Sequence, residues 1–192
     1  LNAYLLKIAE CELSEAEAKA VTGLLTRSDD CSHIAAHALS ISETANDITD
    51  KGKGLSAEGK AELDILSRAV LALMTTAAKC SAEENRRGCA EIEPFCVVVS
   101  EMTELISSRH TARIKSGECS YEAGSLFVGT LIDVERIAKH CSNIGVSLAV
   151  QFRKSSVSEE EFVRRIHRGD TEHFVEHYIN YKNEYYTPLA EE

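Results

Sequence analysis

Four polar side chains lie within apolar ladders and are of the types used for proton transfer, ion binding or hydrogen bonding. Asp30 and His37 lie one heptad apart among isoleucines, and Asp133 and His140 repeat that spacing 103 residues later. Seven helical residues span about 10 Å along one face, so the two members of a pair cannot bond each other directly. We interpret each as a partly buried, hydrogen-bonded group that fixes helix register. Contact with a partner or an ion is the functional alternative.

Two further spacings could bring metal ligands together. His173 and His177 form a His-x-x-x-His pair, which suits a metal geometrically but lacks a third ligand. Glu43 and Asp47 form a Glu-x-x-x-Asp pair on a predicted helix, where two solvated carboxylates are the simpler interpretation. Neither spacing predicts a metal site.

No constellation of residues indicates an enzyme. The sequence has no glycine-rich phosphate loop, no Gly-x-Ser-x-Gly elbow and no cysteine flanked by a plausible base. The cysteines are odd in number and never spaced as Cys-x-x-Cys, so we interpret them as reduced thiols of a cytosolic protein. They are Cys11, Cys31, Cys80, Cys89, Cys96, Cys119 and Cys141.

Length and charge limit the classes of protein to which the chain can belong. The 192 residues are enough for about one domain or two small ones. Thirty-one acidic against 21 basic residues give a formal net charge of −10, which argues against nucleic-acid binding. No purely apolar run approaches the ~20 residues of a membrane-spanning helix, so we expect this chain itself to be soluble.

Apolar residues recur at steps of three and four along the sequence, which predicts an all-α fold of packed amphipathic helices. The clearest stripes lie within residues 34–48, 63–77, 92–106, 137–148 and 174–185. The last stripe is rich in tyrosine, and we interpret it as an exposed docking stripe that makes a homodimer plausible.

Caps and breakers predict where the helices begin and end. Serines precede most of the predicted helices, and glycines end several of them. A kink is expected where Gly88 and Pro94 fall. The predicted helices run from Ser14 to about Asp50, from Ser56 to about Lys79, from the Ser81–Glu84 capping box to Ser116 before Gly117, from Ser120 to about Arg153, from Ser158 to near Gly169, and onward from Thr171.

An internal repeat relates the two halves of the chain. Residues 30–37 align with residues 133–140 at an offset of 103, and Ile41 aligns with Ile144. We therefore expect four isoleucines to be buried at equivalent places: Ile34, Ile41, Ile137 and Ile144. The predicted helix before Ser120 exceeds 30 residues, whereas about ten precede Ser14. If repeats share element lengths, roughly two dozen helical residues precede Leu1 in the parent protein.

Two motifs resemble the second repeat of a PhoU domain, as found in bacterial sodium/phosphate cotransporters. They are Gly-Glu-Cys-Ser-x-Glu-Ala-Gly at 117–124 and Glu-Arg-Ile-x-x-His-x-x-Asn-Ile at 135–144. Residues 3–8 and 13–25 resemble the first repeat. The resemblance implies two pseudo-symmetric three-helix bundles, the first helix being truncated. It implies repeats at 1–80 and 81–155, with a helical extension at 156–192.

The family resemblance also implies where a metal could bind. PhoU proteins can hold iron or zinc through one Glu/Asp-x-x-x-Asp motif per repeat, because that spacing puts two carboxylates on one helix face. Here Ser32 and Ala36 replace the first motif, and Lys139 leaves only Glu135 of the second. We expect no metal cofactor, with Glu135 the residual candidate ligand and Lys139 forming an ion pair with it.

The function implied is a non-catalytic regulatory and interaction domain of a sodium-dependent phosphate transporter, on the cytoplasmic side of a bacterial membrane and joined to the transporter in one chain. A free-standing PhoU-like phosphate-signalling regulator that binds a separate transporter or sensor kinase is the alternative, and a metal-binding helical protein is a weaker one. The polar positions of the repeat motif are Asp30, His37, Asp133, Glu135, Arg136 and His140.

Overall fold

A computed structural model describes residues 1–50, 55–83, 88–119, 121–153 and 157–191, and within them every regular element is helical. This confirms the all-α prediction. The elements are α1 (Asn2–Ala9), α2 (Glu15–Asp50), α3 (Ala57–Ala82), α4 (Cys89–Lys115), α5 (Tyr121–Gln151), α6 (Glu159–His167), α7 (Phe174–Tyr181), a π-helical segment (Lys182–Tyr186) and α8 (Thr187–Glu191).

Several predicted helix boundaries are confirmed by the hydrogen bonds that cap them. The Ser56 hydroxyl accepts from the Gly59 amide at 3.1 Å, and the Ser158 hydroxyl accepts from the Glu161 amide at 3.3 Å. Gly117 follows α4 with a φ of 81°, a left-handed conformation that glycine adopts at little cost. Serine caps and glycine stops thus fix these ends locally.

The predicted start of the third long helix is wrong. Ser81 lies in the last turn of α3, because the apolar face of that helix continues through the buried Cys80. Its supposed capping partner Glu84 falls outside the described residues. α4 instead begins at Cys89, directly after Gly88, and Pro94 lies within it.

The tail is also more irregular than a single helix from Thr171. α7 starts only at Phe174, after His173 takes a left-handed φ of 63°. It then passes into the π-helical segment before α8. The predicted short helix from Ser158 is confirmed, and Gly169 follows it with a φ of 74°.

The helices form a packed body in which α1 and α2 are the peripheral pair. α4 packs along α5 in the antiparallel direction, with Glu93 near Ser142 and Ser100 near Glu135. α3 packs against both α4 and α5, whereas α2 packs on α1 and on α5. The core between α3, α4 and α5 contains the largest fully buried apolar side chains, among them Leu66, Leu73, Ile92, Phe95, Met102, Ile106, Phe127 and Leu148.

The expectation of four equivalent buried isoleucines holds for only one repeat. Ile137 and Ile144 are 2% and 4% exposed. Ile34 and Ile41 are only partly buried, so the prediction for them is wrong. The reason lies in their neighbours, because α5 is covered by α2, α3 and α4, whereas among the described residues α2 packs mainly on α5 and the short α1.

The tyrosine stripe of the tail is not an exposed surface. Tyr181 stacks on Phe95 of α4 with ring centroids 3.9 Å apart, and its hydroxyl donates to Glu91 at 3.1 Å. Tyr178 donates to Glu101 at 2.7 Å. The expected docking stripe is therefore occupied by α4 of the same chain, which removes the reason for inferring a homodimer from it.

One described helix is long and apolar enough to cross a membrane. It is α3, and 39% of its most apolar 18-residue window is buried inside the structure. Core helices of soluble proteins meet the same criteria, so α3 by itself assigns the chain to neither class.

Candidate functional site

The polar residues of the repeat motif meet along the contact between α2 and α5, which we call the α2–α5 seam. His37 Nδ1 lies 2.8 Å from Asp133 Oδ1, and His140 Nδ1 lies 2.8 Å from Asp30 Oδ1. Each histidine thus binds the aspartate of the other repeat. Shifting the residue numbers of one pair by 103 gives the other pair, and the pairings 30–140 and 37–133 show that α2 and α5 run antiparallel.

The seam extends beyond these two pairs. Asn143 Nδ2 donates to Asp30 Oδ1 at 3.1 Å, so this oxygen accepts from two side chains of α5. Arg27 Nη1 donates to Gln151 Oε1 at 2.9 Å and to Ser147 Oγ at 3.3 Å. Asp30 and Arg27 are both buried, although most of α2 is exposed. The polar contacts therefore concentrate where α2 touches α5.

In each pair of the seam the imidazole ring supplies the hydrogen-bond donor. An ionised carboxylate only accepts hydrogen bonds, so Nδ1 of His37 and of His140 must be the donor in each pair. The His33 ring stacks on His140 with centroids 4.9 Å apart, and the His37 ring lies 5.8 Å from it. Three imidazole rings and two carboxylates thereby hold the two helices in one register.

The four positions of the degraded metal motif lie on exposed helix faces. Glu135 accepts a long hydrogen bond of 3.4 Å from Ser100 Oγ on α4. Within the part of the chain that the structure describes, no ion pair joins Lys139 to Glu135, so the predicted pair is not observed. Glu135, Arg136 and Lys139 instead line an open groove between α4 and α5. Ser100 on α4, and not Lys139, is the residue that contacts Glu135.

Within the described residues, no group of three or more histidine, cysteine or acidic side chains is arranged to hold a metal ion. His173 and His177 lie with ring centroids 6.3 Å apart, and His173 pairs with Glu176 at 3.1 Å. Glu43 and Asp47 are exposed on α2. Neither of these two candidate pairs therefore gains a third possible metal ligand among the described residues.

A buried ionic cluster between α3 and α4 escaped the sequence analysis. Glu62 is 2% exposed, and Arg113 Nη1 donates to its Oε1 at 3.0 Å. Arg109 lies 3.5 Å from the same carboxylate and donates to the carbonyl oxygen of Leu189 at 2.8 Å. One signal was present, because Glu62 is one turn before Leu66 on the apolar stripe of α3.

His110 lies beside this cluster in an apolar setting. Its ring stacks on Phe127 with centroids 4.4 Å apart, and its Nε2 has no hydrogen-bond partner among the described residues. Burial, together with the neighbouring Arg113 guanidinium, lowers the pKa of His110. A buried histidine that stays neutral serves packing between α4 and α5.

A pocket of about 500 Å³ lies between α4, α5 and α6. Cys89 lies in it, and burial raises the pKa of that thiol to about 11. A thiol with such a pKa is protonated at neutral pH and is a poor nucleophile. Glu93 on the same wall is bonded to His167 and Ser142. These groups stabilise the junction of three helices.

Comparison with protein-family models, with curated proteins and with solved structures finds no match to this chain. The resemblance to the PhoU family rests on the motif residues of the sequence alone. The contacts across the α2–α5 seam are a separate observation, because they come from the structure and not from that resemblance.

Proposed function

We propose that this chain is a non-catalytic regulatory and interaction domain of a sodium-dependent phosphate transporter, placed on the cytoplasmic side of a bacterial membrane. The observation that carries the proposal is the reciprocal pairing of His37 with Asp133 and of His140 with Asp30. These four residues belong to the repeat motif whose resemblance to PhoU domains suggested the function.

The chemistry of the seam favours an interaction domain. Paired carboxylates and imidazoles that bind each other across two helices are engaged in structure rather than directed at a substrate cavity. The groove lined by Glu135, Arg136 and Lys139 carries both signs of charge on an open face. Such a surface suits contact with a polar partner surface, since charge complementarity gives specificity to protein interfaces.

Phosphate uptake by the parent transporter in cells tests this function. Radiolabelled phosphate uptake per transporter molecule is compared between the intact protein and a version lacking residues 1–192, with sodium present and absent. The proposal expects the sodium-dependent rate to change when the domain is removed. An unchanged rate, or a parent reading frame that encodes no membrane helices, contradicts it.

The parent reading frame also distinguishes a free-standing regulator from a domain joined to a transporter. A reading frame that encodes only this helical domain and a short N-terminal extension makes the protein a separate regulator. In that case deleting its gene alters phosphate-responsive gene expression. Iron or zinc bound stoichiometrically to the purified protein would instead favour the metal-binding alternative.

A further inference from the structure

The pocket between α4, α5 and α6 carries more chemistry than the junction of these helices needs. Its volume of about 500 Å³ falls within the range of small-molecule sites in proteins. Its apolar surface comes from α5 and α6, through the side chains of Val146, Ala149, Phe162 and Ile166. Such a surface can cover the apolar body of a ligand. None of the residues named in the α2–α5 seam lines this pocket, so its ligand is a separate matter from the regulatory function proposed above.

Two arginines line the pocket. Arg153 Nη1 donates to the carbonyl oxygen of Val157 at 2.9 Å, and the guanidinium carbon lies 5.8 Å from the centre of the Phe162 ring. These contacts hold Arg153 against an aromatic wall. Arg165 on α6 lines the same pocket and is exposed. Guanidinium groups bind carboxylates through strong, often paired hydrogen bonds, so this side of the pocket suits the carboxylate of a ligand.

Three carboxylates line the pocket as well. Glu93 on α4 has only 13% of its side chain exposed, and its two oxygens already bond His167 and Ser142. Asp170 and Glu172 lie on the segment after α6 and are exposed. Glu93 therefore serves the helix junction, whereas Asp170 and Glu172 are placed to attract a cationic group of a ligand.

The opposite charges of the pocket do not neutralise each other by direct contact. Among residues 88–119, 121–153 and 157–191, no ion pair joins either arginine to any of the three carboxylates. A ligand that carries both signs of charge can pair with both groups at once. Two guanidiniums against three carboxylates, one of which is bonded to His167, leave the pocket close to neutral. This balance favours a zwitterion over an ion of either sign.

The turn that carries Asp170 is fixed by its backbone. Gly169 takes a left-handed φ of 74°, and the amide of Asp170 donates to the carbonyl oxygen of Arg165 at 2.9 Å. A Cβ on Gly169 would lie 2.9 Å from the Phe174 ring, so only glycine allows this close packing. The backbone therefore holds a residue of each charge together before a ligand binds, and such preorganisation lowers the cost of binding.

We propose that this pocket binds a free α-amino acid with an apolar side chain. The carboxylate of the amino acid pairs with Arg153 and Arg165. Its ammonium group pairs with Asp170, and its side chain packs beside the Phe162 ring. Such a ligand matches both signs of charge and the apolar wall, whereas a simple fatty acid or amine matches only one sign.

Isothermal titration calorimetry of the 192-residue chain with L-leucine, L-phenylalanine and L-tryptophan, each alone, tests this site. At least one of them should bind saturably at one site per chain, with a Kd of about 1 mM or lower. Glycine, which has no apolar side chain, should not bind. The analogues of the bound amino acid that lack its ammonium group or its carboxylate should bind at least ~10-fold more weakly, because each leaves a charged group without its partner. For L-phenylalanine these analogues are 3-phenylpropanoate and phenethylamine.

Arg165→Gln and Asp170→Asn should each weaken binding at least ~10-fold and leave Tm nearly unchanged, since both side chains are exposed. Arg164→Gln is the matched control, because Arg164 pairs with Glu160 on the exposed side of α6 and does not line the pocket. It should bind as the parent protein does. A Kd above ~1 mM for all three amino acids would overturn the proposal. Equal affinity for the amino acid and both analogues, or equal losses in Arg164→Gln and Arg165→Gln, would overturn it as well.

Discussion

At the scale of single residues, equivalent positions of the repeat differ in what surrounds them. Ile137 is buried among three helices, and Ile34 at the equivalent position is only partly buried. Ile137→Ala should therefore lower the free energy of unfolding by ~2–5 kcal/mol, the usual cost of such a truncation in a core. Ile34→Ala should cost clearly less. Urea denaturation of both variants checks this, and equal losses would contradict the difference in packing.

His110 should make the protein less stable in mild acid. Burial and Arg113 lower its pKa, so the unfolded chain binds a proton at a higher pH than the folded protein does. Stability is then full above the unfolded pKa of about 6.5 and falls as the pH drops from there toward the folded pKa. His110→Phe should lose less unfolding free energy between neutral and mildly acidic pH than the parent protein does.

The matched comparison for His110 is His177→Phe, on the partly exposed face of α7. That variant should keep the acid sensitivity of the parent protein. Denaturant melts at a series of pH values measure the difference. A His110→Phe variant with the pH profile of the parent would show that another group causes the acid sensitivity.

At the scale of helices, the buried carboxylate of Glu62 links α3 to α4. Removing one partner of a buried ion pair leaves the other charge without compensation, at a cost of ~3–5 kcal/mol. Glu62→Ala should destabilise the protein by about that amount. Asp64→Ala, two residues along α3, removes only an exposed pair with Arg68 and should cost well under ~1 kcal/mol. Similar urea midpoints for both variants would contradict the role of Glu62.

Local sequence signals predicted the helix boundaries better than they predicted features that depend on contacts between helices. The caps at Ser56 and Ser158 and the stop at Gly117 depend on residues within one turn, so they could be read directly. The Ser81 box failed because the apolar stripe of α3 overrides a local capping signal. The π-helical segment at Lys182–Tyr186 has no such signal, and it packs against α3 and α4.

The sequence could predict which residues form the candidate site, but it could not predict which of them contact each other. Spacing along one helix showed that Asp30 cannot reach His37, and the repeat linked each residue to an equivalent one. The exchange of partners between repeats depends on how α2 crosses α5, which is a property of tertiary packing. Lys139 illustrates the same limit, since an i,i+4 spacing allows a pair with Glu135 but does not require it.

At the scale of the whole molecule, we expect the fold to depend on helix packing and not on a metal cluster. We expect the protein to keep its helical circular dichroism and its melting temperature after exhaustive chelation. Protein purified without an affinity tag should carry no stoichiometric iron or zinc. Elemental analysis measures this directly. One equivalent or more of either metal, lost in a Glu135→Gln variant, would restore the metal-cluster interpretation of the motif.

The central claim is that the repeat-motif residues act by joining α2 to α5 through reciprocal bonds. Double-mutant cycles with alanine for Asp30 and His140, and for Asp133 and His37, measure this most directly by urea denaturation. Each cycle should give a coupling free energy of about 0.5–3 kcal/mol, as neighbours in one network do. Asp30 with His37, one heptad apart on α2, should couple much more weakly. Coupling near zero in both reciprocal pairs, or a larger value within α2 than between the helices, would contradict the account.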